Sequence, residues 1–115
     1  MKVPGLFKNS DSVREVPAGE VIFEAGSSGD QMFGVIEGEV EIRMPGGAVR
    51  KIGPDDTFGE MSIVDNSPRS GTAVAISDVK LAVIDRRTFL FLVHETPMFA
   101  LQVMASISDR LRAKD

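Results

Sequence analysis

Val40-Glu41-Ile42-Arg43-Met44-Pro45-Gly46-Gly47-Ala48-Val49-Arg50-Lys51-Ile52 reads as two β-strands joined at a tight tip. Apolar and charged residues alternate strictly from Val40 to Met44, which buries one face of that strand and wets the other. Pro45-Gly46-Gly47 supplies a fixed φ and then two residues free to take φ > 0, which is the chemistry of a hairpin turn. Val49 to Ile52 returns as the partner strand.

Short β-rich pieces cut by Gly, Pro and Asp continue on both sides of this hairpin. Val13 to Val16, Val21 to Glu24 and Met32 to Glu37 precede it, and Thr72 to Ile76 and Val79 to Ile84 follow. Even spacing of short strands predicts an antiparallel sandwich or barrel. Gly-Glu-Val at 19–21 and 38–40, with Gly-Glu-Met at 59–61, looks like a repeat, but glycine turns placed before strands give the same echo. Beyond Val79 to Ile84 the character changes. Asp85 can N-cap a helix running through Val93, and Thr96 with Pro97 at the first helical position starts another. In the second helix Leu101, Met104, Ile107, Ser108 and Leu111 share one face, which suits core or a subunit contact. The expected fold is mainly β with α: an antiparallel β-roll or jelly-roll barrel over about 12–85, a short N-terminal helical segment, and helices at about 86–95 and 97–113.

At 115 residues the chain suits one domain, 1–115, with a sizeable core. Thirteen basic against seventeen acidic residues give a net charge of -4, which argues against direct nucleic-acid binding or an acidic-membrane surface. The chain has no cysteine, hence no disulfide, thiolate metal site or cysteine nucleophile, and a reducing cytoplasm is the simplest home. No segment approaches the ~20 apolar residues of a membrane helix, and the amino terminus lacks the apolar run of a signal peptide, so neither insertion nor export is expected. The single histidine, His94, has no second His or Cys to complete a metal or haem site.

Distinctive chemistry is concentrated in Phe58-Gly59-Glu60-Met61-Ser62-Ile63-Val64-Asp65-Asn66-Ser67-Pro68-Arg69-Ser70-Gly71-Thr72, one carboxylate and one guanidinium inside a Gly- and Pro-marked loop between strands. A helical turn over Glu60 to Val64 would offer free N–H groups to an anion. Arg69 adds a planar fork suited to phosphate, and the Ser70 hydroxyl is a further donor. Glu60 would repel a phosphate, so its sensible job is to accept from a neighbouring hydroxyl such as a ribose 2'-OH. A phosphate beside a free ribose hydroxyl describes a 3',5'-cyclic nucleotide.

Phe58-Gly59-Glu60 followed by Ser67-Pro68-Arg69-Ser70 resembles the phosphate-binding cassette of the cyclic nucleotide-binding domain family, the catabolite-activator-like sensor domains. Val21-Ile22-Phe23-Glu24-Ala25-Gly26, Gly29-Asp30-Gln31-Met32-Phe33 and Gly38-Glu39-Val40 are similar to its early strands, and Phe89, Thr96-Pro97 and Asp109-Arg110-Leu111-Arg112 to its B and C helices. The resemblance implies that Glu60 binds the ribose 2'-OH and Arg69 the exocyclic phosphate oxygens. Gly59, Met61, Ser62, Ser70 and Gly71 would complete the cradle, and Val49 would wall the ribose and base. Ser62 stands where many members carry alanine, and no helix-turn-helix is expected after Asp115. The implied function is a sensor of cyclic AMP or cyclic GMP that performs no chemistry, needs no cofactor or metal, and signals through its C-terminal helices to an unidentified protein effector. A homodimer through the C-terminal helix is open. The alternative is a scaffold or association domain of the same fold with an empty pocket or a different small effector.

Overall fold

The structure, a computed structural model, describes residues 2–114. Eight strands precede two helices: β1 (Val13–Val16), β2 (Val21–Phe23), β3 (Gln31–Glu37), β4 (Val40–Arg43), β5 (Val49–Ile52), β6 (Thr57–Phe58), the short helix α1 (Met61–Val64), β7 (Thr72–Ala75), β8 (Val79–Asp85), then α2 (Arg86–Glu95) and α3 (Met98–Lys114). The strands form two four-stranded antiparallel sheets, ordered β1-β8-β3-β6 and β2-β7-β4-β5. This is the expected jelly-roll. The β4–β5 hairpin closes with Val40 opposite Ile52 and Arg43 opposite Val49. Gly19, Gly38 and Gly59 all take positive φ, 90°, 90° and 78°, so the echoed triplets share turn chemistry.

Alternation drives the first core. Val40 and Ile42 of β4 turn inward against Val35, Ile52, Ala73 and Leu81, between the two sheets. Phe23, Phe33 and Phe58 cluster there with centroids 5.3 to 6.2 Å apart, which adds aromatic contact to the area they bury. A second core lies under the helices, where Phe7, Met32, Ile63, Ile84, Phe99 and Val103 meet. Phe7 anchors the N-terminal segment, and a Cβ at Gly34 would fall 2.6 Å from its ring, so β3 needs glycine at that point. The expected N-terminal helical segment is a run of i→i+3 turns, closed by Leu6, Lys8 and Ser10 N–H groups on Val3, Gly5 and Phe7 carbonyls.

The expected stripe of α3 is split between core and surface. Phe99 and Val103 are buried with Gln102, whereas Leu101, Met104 and Leu111 are exposed. Ile107 of that stripe packs against the second core, and the inward face mixes Phe99, Val103 and Ile107 with polar Gln102, Ser106 and Arg110.

Asp85 caps α2, accepting from the Thr88 N–H at 2.8 Å. That backbone bond holds the Asp85 carboxyl below its ordinary pKa. A depressed carboxylate stabilises the fold above its unfolded pKa of about 3.9 and loses that contribution as pH falls through the lower folded value. Asp85→Asn keeps an acceptor without the titration. Its stability is expected to fall less steeply than that of wild type below about pH 4 in thermal melts. Superimposable acid limbs would contradict this role.

Candidate functional site

The loop between β6 and β7 is held in place at both ends. Gly59 opens it at φ 78°, and a Cβ there would lie 2.7 Å from Arg69 Nη1. Glu60 precedes the single turn of α1, whose first N–H groups, Met61 and Ser62, have no partner within the turn. Ser67 then donates its N–H to the Asp65 carboxylate at 3.0 Å, an Asx-type turn that sets the approach to Pro68. The Arg69 backbone is clamped to the β2–β3 loop: its N–H donates to the Ser27 carbonyl at 2.8 Å, and its carbonyl accepts from Gly26 at 2.7 Å.

The Arg69 side chain is buried, 8% exposed. Its Nη1 donates to the Gly59 carbonyl and to Ser62 Oγ, both at 3.1 Å, and its guanidinium carbon lies 4.2 Å from the Phe23 ring centroid. A Cβ at Gly29 would fall 2.4 Å from Nη2, so the β2–β3 loop must be bare there for Arg69 to fit. Burial lowers the Arg69 pKa from its ordinary value while the Asp30 charge opposes that shift. Its Nε is buried without an acceptor among the described residues. A buried cation with an idle donor is a place for an anion, because leaving such a group unpaired costs free energy.

Glu60 is completely buried. Its Oε1 accepts from Arg110 Nη2 at 2.8 Å and from Ser106 Oγ at 2.9 Å, both on α3. Its Oε2 has no partner among the described residues. The carboxylate is thus tied to the C-terminal helix through one oxygen, while the other is buried.

Gly59, Met61, Ser62, Arg69, Ser70 and Gly71 line one narrow cleft. Phe23 and Phe58 also line it, as do Ile42 of β4, Arg50 of β5 and Arg110 of α3. Gly71 leaves space that a Cβ would fill, 2.9 Å from Ile42 Cγ2. Glu60 lies at the root of the same loop, buried and held by Arg110, and does not itself line the cleft. Val49 does not line the cleft: it is 51% exposed on β5, and strand parity gives the cleft its neighbour Arg50. Arg110, Ser106 and Arg50 are the residues that sequence reasoning missed. Arg110 had one signal, its place in Asp109-Arg110-Leu111-Arg112, whereas Ser106 and Arg50 had none that was local. His94 is exposed, and no cluster of potential metal ligands occurs among the described residues. No single helix among them is long and apolar enough to cross a membrane.

A family model described as "Cyclic nucleotide-binding domain" matches residues 13–96. The cyclic AMP receptor protein of Thermus thermophilus is 36% identical over 107 residues, covering 89% of this chain and 50% of that protein. The crystal structure of the Thermus thermophilus catabolite activator protein superposes with a TM-score of 0.75 at 36% identity, over 90% of this chain and 51% of the other. A structure reported under "A cyclic-GMP-dependent signalling pathway regulates bacterial phytopathogenesis" superposes with a TM-score of 0.79 at 30% identity, over 94% of this chain and 90% of the other. The chain spans about half, or less, of the length of the curated relatives it matches. Fold, cassette and matches agree, and this chain belongs to the cyclic nucleotide-binding domain family.

Proposed function

We propose that the 115-residue chain is one ligand-sensing module that binds a 3',5'-cyclic nucleotide without transforming it and reports occupancy through α3 to a protein partner. The observation that carries this reading is the pairing of two idle groups in one loop: Arg69 Nε, a buried donor, and Glu60 Oε2, a buried acceptor. A cyclic phosphate fits the first and a ribose 2'-OH the second, with the Met61 and Ser62 N–H groups and Ser70 beside the phosphate. The relatives are named for cyclic AMP in one case and cyclic GMP in another, which supports the ligand class and leaves the base open. A binder of this kind needs no metal or cofactor, and a reducing cytoplasm suits a chain without cysteine.

Coupling follows from Glu60. Ligand can bias α3 only by binding two helix arrangements with different affinity. The carboxylate that would hold the ribose already holds Arg110 and Ser106, so ribose binding and helix docking share one group.

A thermal-shift series tests the reading, since a ligand of the native state raises stability by mass action. Cyclic AMP or cyclic GMP should raise the midpoint, and the 2'-deoxy form should do so less in wild type but not in Glu60→Ala. No shift at millimolar ligand would favour the second reading, a same-fold association domain. One observation supports that alternative: Ser106 and Arg110 of α3 already donate to Glu60 Oε1.

Leu101, Met104 and Leu111 are exposed along α3, 46%, 57% and 61%, at the three-and-seven spacing of a helix seam. We propose that this stripe pairs two copies of the chain. Sedimentation equilibrium should give a dimer for wild type and a monomer for Met104→Asp; a monomeric wild type would remove the proposal.

A further inference from the structure

The Ser62 hydroxyl has a chemistry of its own, separate from the backbone N–H that the cassette offers to phosphate. Ser62 is buried, 2% exposed, in the single turn of α1. Its Oγ lies 3.1 Å from Arg69 Nη1, 2.9 Å from the Gln31 carbonyl and 3.0 Å from the Gly59 carbonyl. A hydroxyl has one proton to donate and two lone pairs with which to accept, whereas a guanidinium can only donate. Ser62 Oγ therefore accepts from Arg69 and gives its own proton to a carbonyl.

These bonds reach beyond the loop. Gly59, the other acceptor of Nη1, belongs to the loop itself, whereas Gln31 opens β3 and stands opposite Asp85 of β8 in the ladder. The guanidinium is thus linked to the sheet through one hydroxyl. The Phe23 ring, 4.2 Å from the guanidinium carbon, attracts the charge without choosing among its N–H groups. A single bond to Gly59 would leave the group a pivot about which to turn. The second bond, to Ser62, removes that freedom and uses the other Nη1 proton.

Resting on the cyclic-nucleotide reading above, we infer that Ser62 is a positioning residue: its hydroxyl locks Arg69 Nη1 to the β3 end, so that the remaining Arg69 donors keep one orientation toward the cyclic phosphate. The effect belongs to the hydroxyl and not to the volume of the side chain. Cysteine has nearly the same shape but is a weak acceptor, so it should fail where serine succeeds.

The experiment pairs nitrogen-15 NMR of the Arg69 guanidinium in the ligand-free protein with calorimetric titration of cyclic AMP and cyclic GMP, for wild type, Ser62→Ala and Ser62→Cys. Loss of the signals in Arg69→Ala assigns them. Wild type should show separate Nη1 and Nη2 signals, the mark of hindered rotation, and both Ser62 variants should show them merged. Whichever cyclic nucleotide wild type binds should bind both variants about three- to ten-fold more weakly, the scale of one hydrogen bond. Unchanged Arg69 signals in both variants would overturn the inference even if affinity fell, because the loss would then come from general destabilisation of the loop. Affinity equal to wild type in both variants, or full affinity in Ser62→Cys alone, would also overturn it. Absence of binding of either nucleotide to wild type would instead overturn the cyclic-nucleotide reading, and this inference with it.

Discussion

Arg110→Ala is expected to lower the thermal midpoint by more than about 10 °C, with a loss of about 3–5 kcal/mol. The size follows from which partner is left behind. Glu60 has 1% of its side chain exposed and Arg110 has 17%, so removing the arginine strands a carboxylate that water cannot reach. Ser106 remains as one donor, too little to replace a charge-assisted bond at 2.8 Å. Converting the stranded carboxylate to an amide should recover part of the loss, so Arg110→Ala with Glu60→Gln should melt higher than Arg110→Ala alone. Differential scanning calorimetry of the four proteins closes the cycle. A midpoint for Arg110→Ala within about 2 °C of wild type would show that the pair does not hold α3 to the barrel.

Arg69→Ala should weaken cyclic-nucleotide binding by about 2–5 kcal/mol, a factor of roughly thirty or more. The guanidinium is held by the Gly59 carbonyl, Ser62 Oγ and the Phe23 ring, so it is oriented before any ligand arrives. Preorganisation of this kind cuts the ordering cost of binding. Arg69→Lys is expected to recover little, because an ammonium cannot keep two bonds to the loop and also present a planar edge to phosphate. Circular dichroism must show that the variant is folded, since its backbone bonds to Ser27 and Gly26 do not depend on the side chain. Equal affinity of a folded Arg69→Ala and wild type would remove Arg69 from the site.

Much of this architecture is legible in the chain because its signals are local. Strict alternation in β4 and the Pro45-Gly46-Gly47 tip place the hairpin directly, and Asp85 announces α2 by its own side chain. The cassette is equally local, with a turning glycine, a carboxylate and an arginine within one loop. β6 was not legible, since the two residues Thr57 and Phe58 carry no period. The packing of α3 was not legible either. Phe99, Val103 and Ile107 share its inward face with Gln102, Ser106 and Arg110, whose partners Asp55, Val3 and Glu60 are distant in sequence, while Leu101, Met104 and Leu111 stay exposed. Arg110 and Glu60 lie fifty residues apart and meet only when the helix folds back. Arg50 turned on parity: the family resemblance pointed to Val49 as the pocket wall, yet the register of β5 against β4 gives the cleft the next residue along.

The central claim is that this loop grips a cyclic phosphate and its ribose together, and calorimetric titration with a non-cyclic control tests it most directly. At least one of cyclic AMP and cyclic GMP should bind saturably, one per chain, and about ten-fold or more tighter than its own 5'-monophosphate, because the proposed site pairs a single ring-held charge at Arg69 with the 2'-OH at Glu60. Binding of the 5'-monophosphate as tightly as its cyclic form, or no heat from either cyclic nucleotide at millimolar concentration, would contradict it.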